Sequence, residues 1–148
     1  PVMSPVVYLD TSALVKRYVE ETGTPEVQTL IQTADVLGTS ALARVEMAAA
    51  LAKAVRVGAL TREEAGTALE NFLTDWPRLY RLKVTDPLLE RASDLAWKEG
   101  LRGYDATHLA AALLWQEMLE VPVVMATFDR NLWEAASRRG LEAWPEAL

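Results

Sequence analysis

Four carboxylates occupy positions where an acid needs a physical reason. Asp10 and Asp129 each come where a short apolar run, Val6-Val7-Tyr8-Leu9 or Val123-Val124-Met125-Ala126, gives way to a helical pattern. Taken singly, each reads more simply as an N-cap or turn aspartate. Glu46 is the only polar residue between Val45 and Ala52. A helix apolar on nearly all sides is expected to be buried, and an ionised carboxylate there needs a cation or several donors. Metal binding meets that need, and so does a salt bridge to Arg44 or to another helix. Asp105 falls in the first turn of a helix, where the dipole alone favours an anion. The four come from four separate elements. Gathered in one cavity, they would raise one another's pKa unless cations were present. Such a site suits metal-assisted hydrolysis of a phosphodiester.

Composition narrows the cofactor. The 148 residues include no cysteine and a single histidine, His108. Thiolate and histidine-rich metal sites are thereby excluded, leaving oxygen ligands and hence Mg²⁺ or Mn²⁺. The net charge of −6 argues against a broadly basic surface that coats nucleic acid. It does not exclude an enzyme acting on nucleic acid, because bound cations reverse the sign of an acidic pocket. No apolar run is long enough to span a membrane, and the opening Pro1-Val2-Met3-Ser4 lacks the pattern of a signal peptide. The cytoplasm is the expected compartment, and the length suits one domain over residues 1–148.

The elements that must position these acids alternate between strand and helix. Strands are expected at Val6–Leu9, Val36–Thr39, Leu79–Val84 and Val123–Ala126. Thr11 or Ser12 caps a helix reaching about Val19, and Thr24 caps another to about Thr33 with Pro25 as its first residue. Ser40 caps a long helix from Ala41 to about Val57. Thr61-Arg62-Glu63-Glu64 forms a capping box for a helix ended by Pro77. Further helices run from Asp86 to Gly100, Gly103 to Glu120 and Asp129 to Arg139. The alternation implies an α/β fold with a mainly parallel sheet and helices on both faces. Ligands of such folds lie beyond the carboxyl ends of the strands, where Asp10 and Asp129 are expected. There the backbone N–H groups of Thr11-Ser12, opening a helix, would suit a phosphate.

The stretches Val7-Tyr8-Leu9-Asp10-Thr11-Ser12-Ala13-Leu14, Arg44-Val45-Glu46, Tyr104-Asp105-Ala106-Thr107-His108-Leu109-Ala110-Ala111-Ala112 and Thr127-Phe128-Asp129-Arg130-Asn131-Leu132 resemble, in order, the motifs of the PIN domain. The VapC-type toxin branch is the nearer match. Each motif is weakly specific alone; the ordered set spans nearly the whole chain. The resemblance implies a three-layer α/β/α sandwich, divalent metal binding and endoribonuclease activity. It implies Asp10, Glu46, Asp105 and Asp129 as the acidic site, with Ser12 and Thr127 orienting ligands or a carboxylate. It further implies a homodimer neutralised by a VapB-type antitoxin.

The remaining polar residues carry less. Arg44, Arg130, Arg78, Arg81, Arg138 and Arg139 are candidate phosphate contacts, though most long cations simply face solvent. His108, one turn after Asp105, reads as a hydrogen-bonded histidine near the rim of the site. The five tryptophans read as core or dimer-interface anchors. An aspartyl-phosphate phosphatase would need a second acid at position 12, where Ser12 stands, and a phospho-receiver would need a lysine after a late strand, whereas the last lysine, Lys98, lies in a helix. The competing readings are a non-catalytic PIN module and an RNA-processing nuclease that is not a toxin.

Overall fold

The computed structural model describes residues 5–148, so the opening segment on which the signal-peptide reading rests lies outside the described residues. Five strands form one parallel sheet: β1 (Val6–Leu9), β2 (Val36–Ser40), β3 (Tyr80–Leu82), β4 (Val123–Ala126) and β5 (Glu142–Trp144). Their order is β3-β2-β1-β4-β5. From β1 the chain builds outward on one side through β2 and β3, then crosses back to place β4 against the other edge of β1. The point where the winding reverses is therefore the β1/β4 junction. That junction is where a parallel sheet leaves a crevice at its carboxyl end.

Side-chain alternation along the strands divides the core in two. Tyr8, Val123 and Met125 face one way, packing with α5 (Asp86–Glu99), α6 (Gly103–Leu119) and α7 (Arg130–Arg138). Val7, Leu9, Val124 and Ala126 face the other, against α1 (Thr11–Leu14), α3 (Ala43–Arg56) and α4 (Arg62–Asp75). The helix α2 (Thr24–Thr33) adds Leu30 and Ile31 to this second layer. The result is the expected α/β/α sandwich, with every strand pair parallel. At the heart of the first layer is α6, whose run from Asp105 to Leu113 is buried throughout. Its Trp115 packs against β2, where a Cβ on Gly38 would stand 2.5 Å from the indole. Only glycine allows that approach.

Local signals fixed most element ends, with corrections at the caps. The Thr61–Glu64 capping box forms, and Gly100 closes α5 in the left-handed region. By contrast, α1 is capped by Asp10, not by Thr11 or Ser12, and lasts one turn before Val15–Arg17 tightens into a 3₁₀ turn. Gly23 precedes α2 in place of Thr24, whose hydroxyl instead donates to the Val19 carbonyl. Ser40 ends β2, and its Oγ accepts the Leu42 N–H at 3.1 Å just before α3. The expected strand over residues 79–84 shortens to β3, and β5 went unread because three half-exposed residues give no periodicity.

The largest departure concerns α3. Its apolar run predicts burial on all sides, yet only Ala43, Met47 and Leu51 are buried. Val45 is 69% exposed, and Ala48, Ala49 and Ala52 share its open face at helical spacing. Small and apolar residues satisfy the pattern for a buried helix, but among the described residues nothing folds over them.

Candidate active site

Two loops meet at the β1/β4 junction. The Asp10 N–H donates to the Ala126 carbonyl at 3.2 Å, so the two strand ends are joined by backbone. A hydroxyl clasp then fixes the Asp10 side chain. Ser12 Oγ donates to Oδ1 at 2.7 Å, Thr127 Oγ1 donates to Oδ2 at 2.6 Å, and the Ala13 N–H donates to Oδ1 at 3.0 Å. Each hydroxyl oxygen in turn accepts a backbone N–H from the loop after β4: Ser12 Oγ from Phe128 and Thr127 Oγ1 from Asp129. A hydroxyl has one proton to give, and both give theirs to Asp10. The two residues therefore do orient a carboxylate. Burial still holds the Asp10 carboxyl above its ordinary pKa, opposed by the positive side of His108 and by these hydrogen bonds.

Asp10 also settles what the start of α1 can bind. Its carboxylate takes the Ala13 N–H, and its charge disfavours an anion at the neighbouring N–H groups of Thr11 and Ser12, which were expected to suit a phosphate.

Asp129 caps α7, with Oδ1 accepting the Leu132 N–H at 2.9 Å. Its other oxygen faces Asp105, and one cation lies between them. Arg102, immediately before α6, donates Nε to Asp105 Oδ2 at 3.0 Å and Nη2 to Asp129 Oδ2 at 2.8 Å. Burial and the charges of Asp129 and Asp10 push the Asp105 carboxyl upward, and Arg102 offsets this only in part. Three acids thus act on one another at the strand ends. Sequence reasoning missed Arg102, although an arginine three residues before an aspartate at a helix start is a recognisable ion-pair spacing.

Glu46 stands slightly apart and is served by different donors. Thr11 Oγ1 donates to its Oε1 at 2.7 Å, and His108 Nε2 meets the same oxygen at 2.6 Å. The other side of the imidazole, Nδ1, lies 2.6 Å from the Tyr8 hydroxyl. Burial raises the Glu46 carboxyl, but the bonds from His108 and Thr11 outweigh it and leave the pKa below its usual value. An ionised carboxylate only accepts, so Nε2 must carry the proton. Among the described residues Oε2 has no hydrogen-bond partner, so both donors leave one oxygen of Glu46 available. His108 is 1% exposed, not at a rim as expected. Glu46 is thus met from another helix by a hydrogen bond with His108, and Arg44 is not its partner. Arg44 and Arg130 are exposed and make no ion pair with the acids among the described residues.

An open groove of about 430 Å³ runs beside Glu46, lined also by Thr11, Ser12, Ala49, Ala50 and Tyr104. As for a metal, the donor set is carboxylate and hydroxyl oxygen, which suits a hard divalent ion. Among the described residues no three acidic or histidine side chains stand at ligand separation. Between Asp105 and Asp129 the guanidinium takes a cation's place, and the trio keeps a formal charge of −1. The residues fit a divalent ion in chemistry and charge, provided that Arg102 yields.

Comparison with known proteins gives the chain's family and fold relatives. The PIN domain family model matches residues 7–137. Ribonuclease VapC49 of Mycobacterium tuberculosis is 35% identical over 144 residues, covering 97% of this chain and 98% of that protein. Ribonuclease VapC3 of Pyrobaculum aerophilum is 35% identical over 128 residues, covering 85% and 91%. In fold, the chain is similar to a structure of FitAB bound to an IR36 DNA fragment, with a TM-score of 0.67, 16% identity and 94% of each chain covered. VapBC2 from Rickettsia felis bound to a promoter DNA fragment gives a TM-score of 0.61 at 15% identity, covering 94% of this chain and 98% of that one. The chain belongs to the PIN domain family.

Proposed function

Taking that membership as premise, we propose that this protein is a divalent-metal-dependent endoribonuclease, the toxin of a VapBC-type toxin–antitoxin pair. The observation that carries the reading is the meeting of Asp10, Asp105 and Asp129 at the β1/β4 crevice, where one guanidinium leaves Asp105 under-neutralised. The relatives that share a third of its sequence are named as ribonucleases, which supports RNA as the substrate class.

In this reading Asp10 and Asp129 would hold Mg²⁺ or Mn²⁺, with Asp105 and Glu46 contributing. Bound there, the metal would supply water activation and charge compensation for in-line hydrolysis, in which water adds to phosphorus as the 3′ oxygen leaves, giving a 5′-phosphate and a 3′-hydroxyl. Ser12 and Thr127 keep both Asp10 oxygens aimed, and their N–H partners hold the loop that carries Asp129. Thr11 and His108, the latter backed by Tyr8, hold Glu46 by one oxygen. Arg44 and Arg130, exposed and unpaired with the acids, are the candidates for contacting the RNA backbone.

A VapB-type antitoxin is the partner we assign. The similarity to VapBC and FitAB assemblies supports it, and the open face of α3 at Val45, Ala48, Ala49 and Ala52 offers apolar area to cover. A homodimer would cover Trp97, which is 89% exposed on α5. No helix among the described residues is long and apolar enough to cross a membrane, and a cytoplasmic site of action is part of the proposal.

The test is incubation of Mn²⁺- or Mg²⁺-loaded protein with total RNA and mapping of fragment ends, beside Asp10→Asn. Metal-dependent cleavage leaving 5′-phosphates, absent in the variant, is the expected result; no cleavage of any RNA by the wild type overturns it. One observation favours a second reading. Arg102 bridges Asp105 and Asp129, and His108 pairs with Glu46, so each of these acids also has a structural partner, as in a PIN module that binds without cutting. RNA retention without metal-dependent cleavage would select that module. Metal-dependent cleavage with no antitoxin gene beside this one would select a processing nuclease.

A further inference from the structure

The cation shared by Asp105 and Asp129 comes from their own chain, and it differs from its partners in how firmly it is held. The Asp105 side chain is 8% exposed in the first turn of α6, and that of Asp129 is 23% exposed at the cap of α7. Both anions are built into element starts. The Arg102 side chain is 60% exposed, and beside the two carboxylates it lies over the Tyr104 ring, 4.6 Å from the centroid. A long arm reaches in from solvent and bridges two fixed anions. Its single charge leaves the trio of Arg102, Asp105 and Asp129 at a formal −1, with Asp10 close enough to add to the repulsion.

From this geometry we propose that Arg102 is a displaceable internal counter-ion, holding Asp105 and Asp129 in place in the metal-free protein and competing with a divalent cation for them. The inference rests on the metal-dependent reading given above. Surface ion pairs are weak, each worth no more than a few-fold in an equilibrium. A divalent ion brings twice the charge and accepts the same oxygens as ligands. Expelling the guanidinium therefore costs metal affinity a modest factor, and the carboxylates stay apposed while no metal is bound. Arginine suits this task because its fork reaches both acids at once; a lysine ammonium is a point charge on a flexible stem.

The experiment measures Mn²⁺ binding from the electron paramagnetic resonance of free Mn²⁺, at pH 8 to keep the carboxylates ionised. It compares the full-length wild type with Arg102→Met and Arg102→Lys, and melts each protein in EDTA. Arg102→Met should bind Mn²⁺ roughly three- to tenfold more tightly than wild type and melt lower without metal. Arg102→Lys should fall between the two in affinity, and it carries the test alone if the methionine variant does not fold. Wild-type binding with no gain in Arg102→Met, or in Arg102→Lys where that variant stands alone, overturns the counter-ion and leaves the metal reading intact. No Mn²⁺ binding by any of the three overturns the metal reading and this inference with it.

Discussion

Two ion clusters in this molecule have opposite stoichiometry. At the strand ends, one arginine serves two carboxylates: Arg102 lies between Asp105 and Asp129. Between α5 and α7, one carboxylate serves two arginines: Glu99 accepts from Arg138 Nη2 at 2.7 Å and from Arg139 Nε at 2.6 Å. In the first, the Asp105 carboxyl sits above its ordinary pKa because burial and neighbouring anions exceed what one cation offsets. In the second, hydrogen bonds from both arginines hold the Glu99 carboxyl below it. A cluster short of positive charge can take another cation. A cluster already in surplus can only tie elements together. The contrast separates chemistry from scaffolding within one set of residue types.

The largest effect that can break this contrast is on activity. Asp129→Asn should lower metal-dependent RNA cleavage by at least about 100-fold, whereas Glu99→Gln should leave it within about twofold of wild type, both read in a gel assay at saturating metal. Equal losses in the two variants would erase the distinction. On stability, His108→Ala comes next. It empties a buried ring site and strips both Tyr8 and Glu46 of their partner, at a cost of about 2–4 kcal/mol by urea unfolding. A cost below about 1 kcal/mol would mean that the Tyr8–His108–Glu46 chain is not holding the two layers together.

Smaller and of opposite sign, Asp105→Asn should stabilise the metal-free protein by about 1 kcal/mol, or roughly 2–4 °C in Tm, because it removes an anion that the fold under-neutralises. A lower Tm in EDTA would count against the crowding. Glu99→Gln should be destabilising by about 1 kcal/mol or less, since its arginine partners are partly exposed. Its pH dependence sharpens the comparison. The folded pKa of Glu99 is lowered, so its contribution is present above the ordinary glutamate pKa and is lost as pH falls through the folded value. The difference in unfolding free energy between wild type and Glu99→Gln should therefore shrink on going from neutral to strongly acidic pH. A difference that stays constant would place the loss in packing instead.

Much of the site was legible because its acids sit at punctuation marks. Asp10 and Asp129 end apolar strands and begin helices, a pattern that placed both at the sheet's carboxyl end, where they meet. Asp105 and Glu46 were visible as lone acids at the start of apolar runs. What could not be read was the pairing across the chain. Tyr8 and His108 lie 100 positions apart, and Arg102 reaches Asp129 over 27, so neither partnership leaves a local pattern. The burial of α3 was misjudged for a related reason. Val45, Ala48, Ala49 and Ala52 have the composition of a covered face, and periodicity reports that a face is apolar without saying which molecule covers it. In the fold, β5 was missed because a three-residue edge strand is set by pairing with β4, not by its own sequence.

The most direct test of the central claim is anomalous diffraction from crystals grown with MnCl₂. The account predicts a manganese peak within ligand distance of Asp10, Asp105 and Asp129, with the Arg102 side chain turned away from both of its carboxylates. Density showing Arg102 still bridging Asp105 and Asp129, with no anomalous peak at the strand ends, would contradict it.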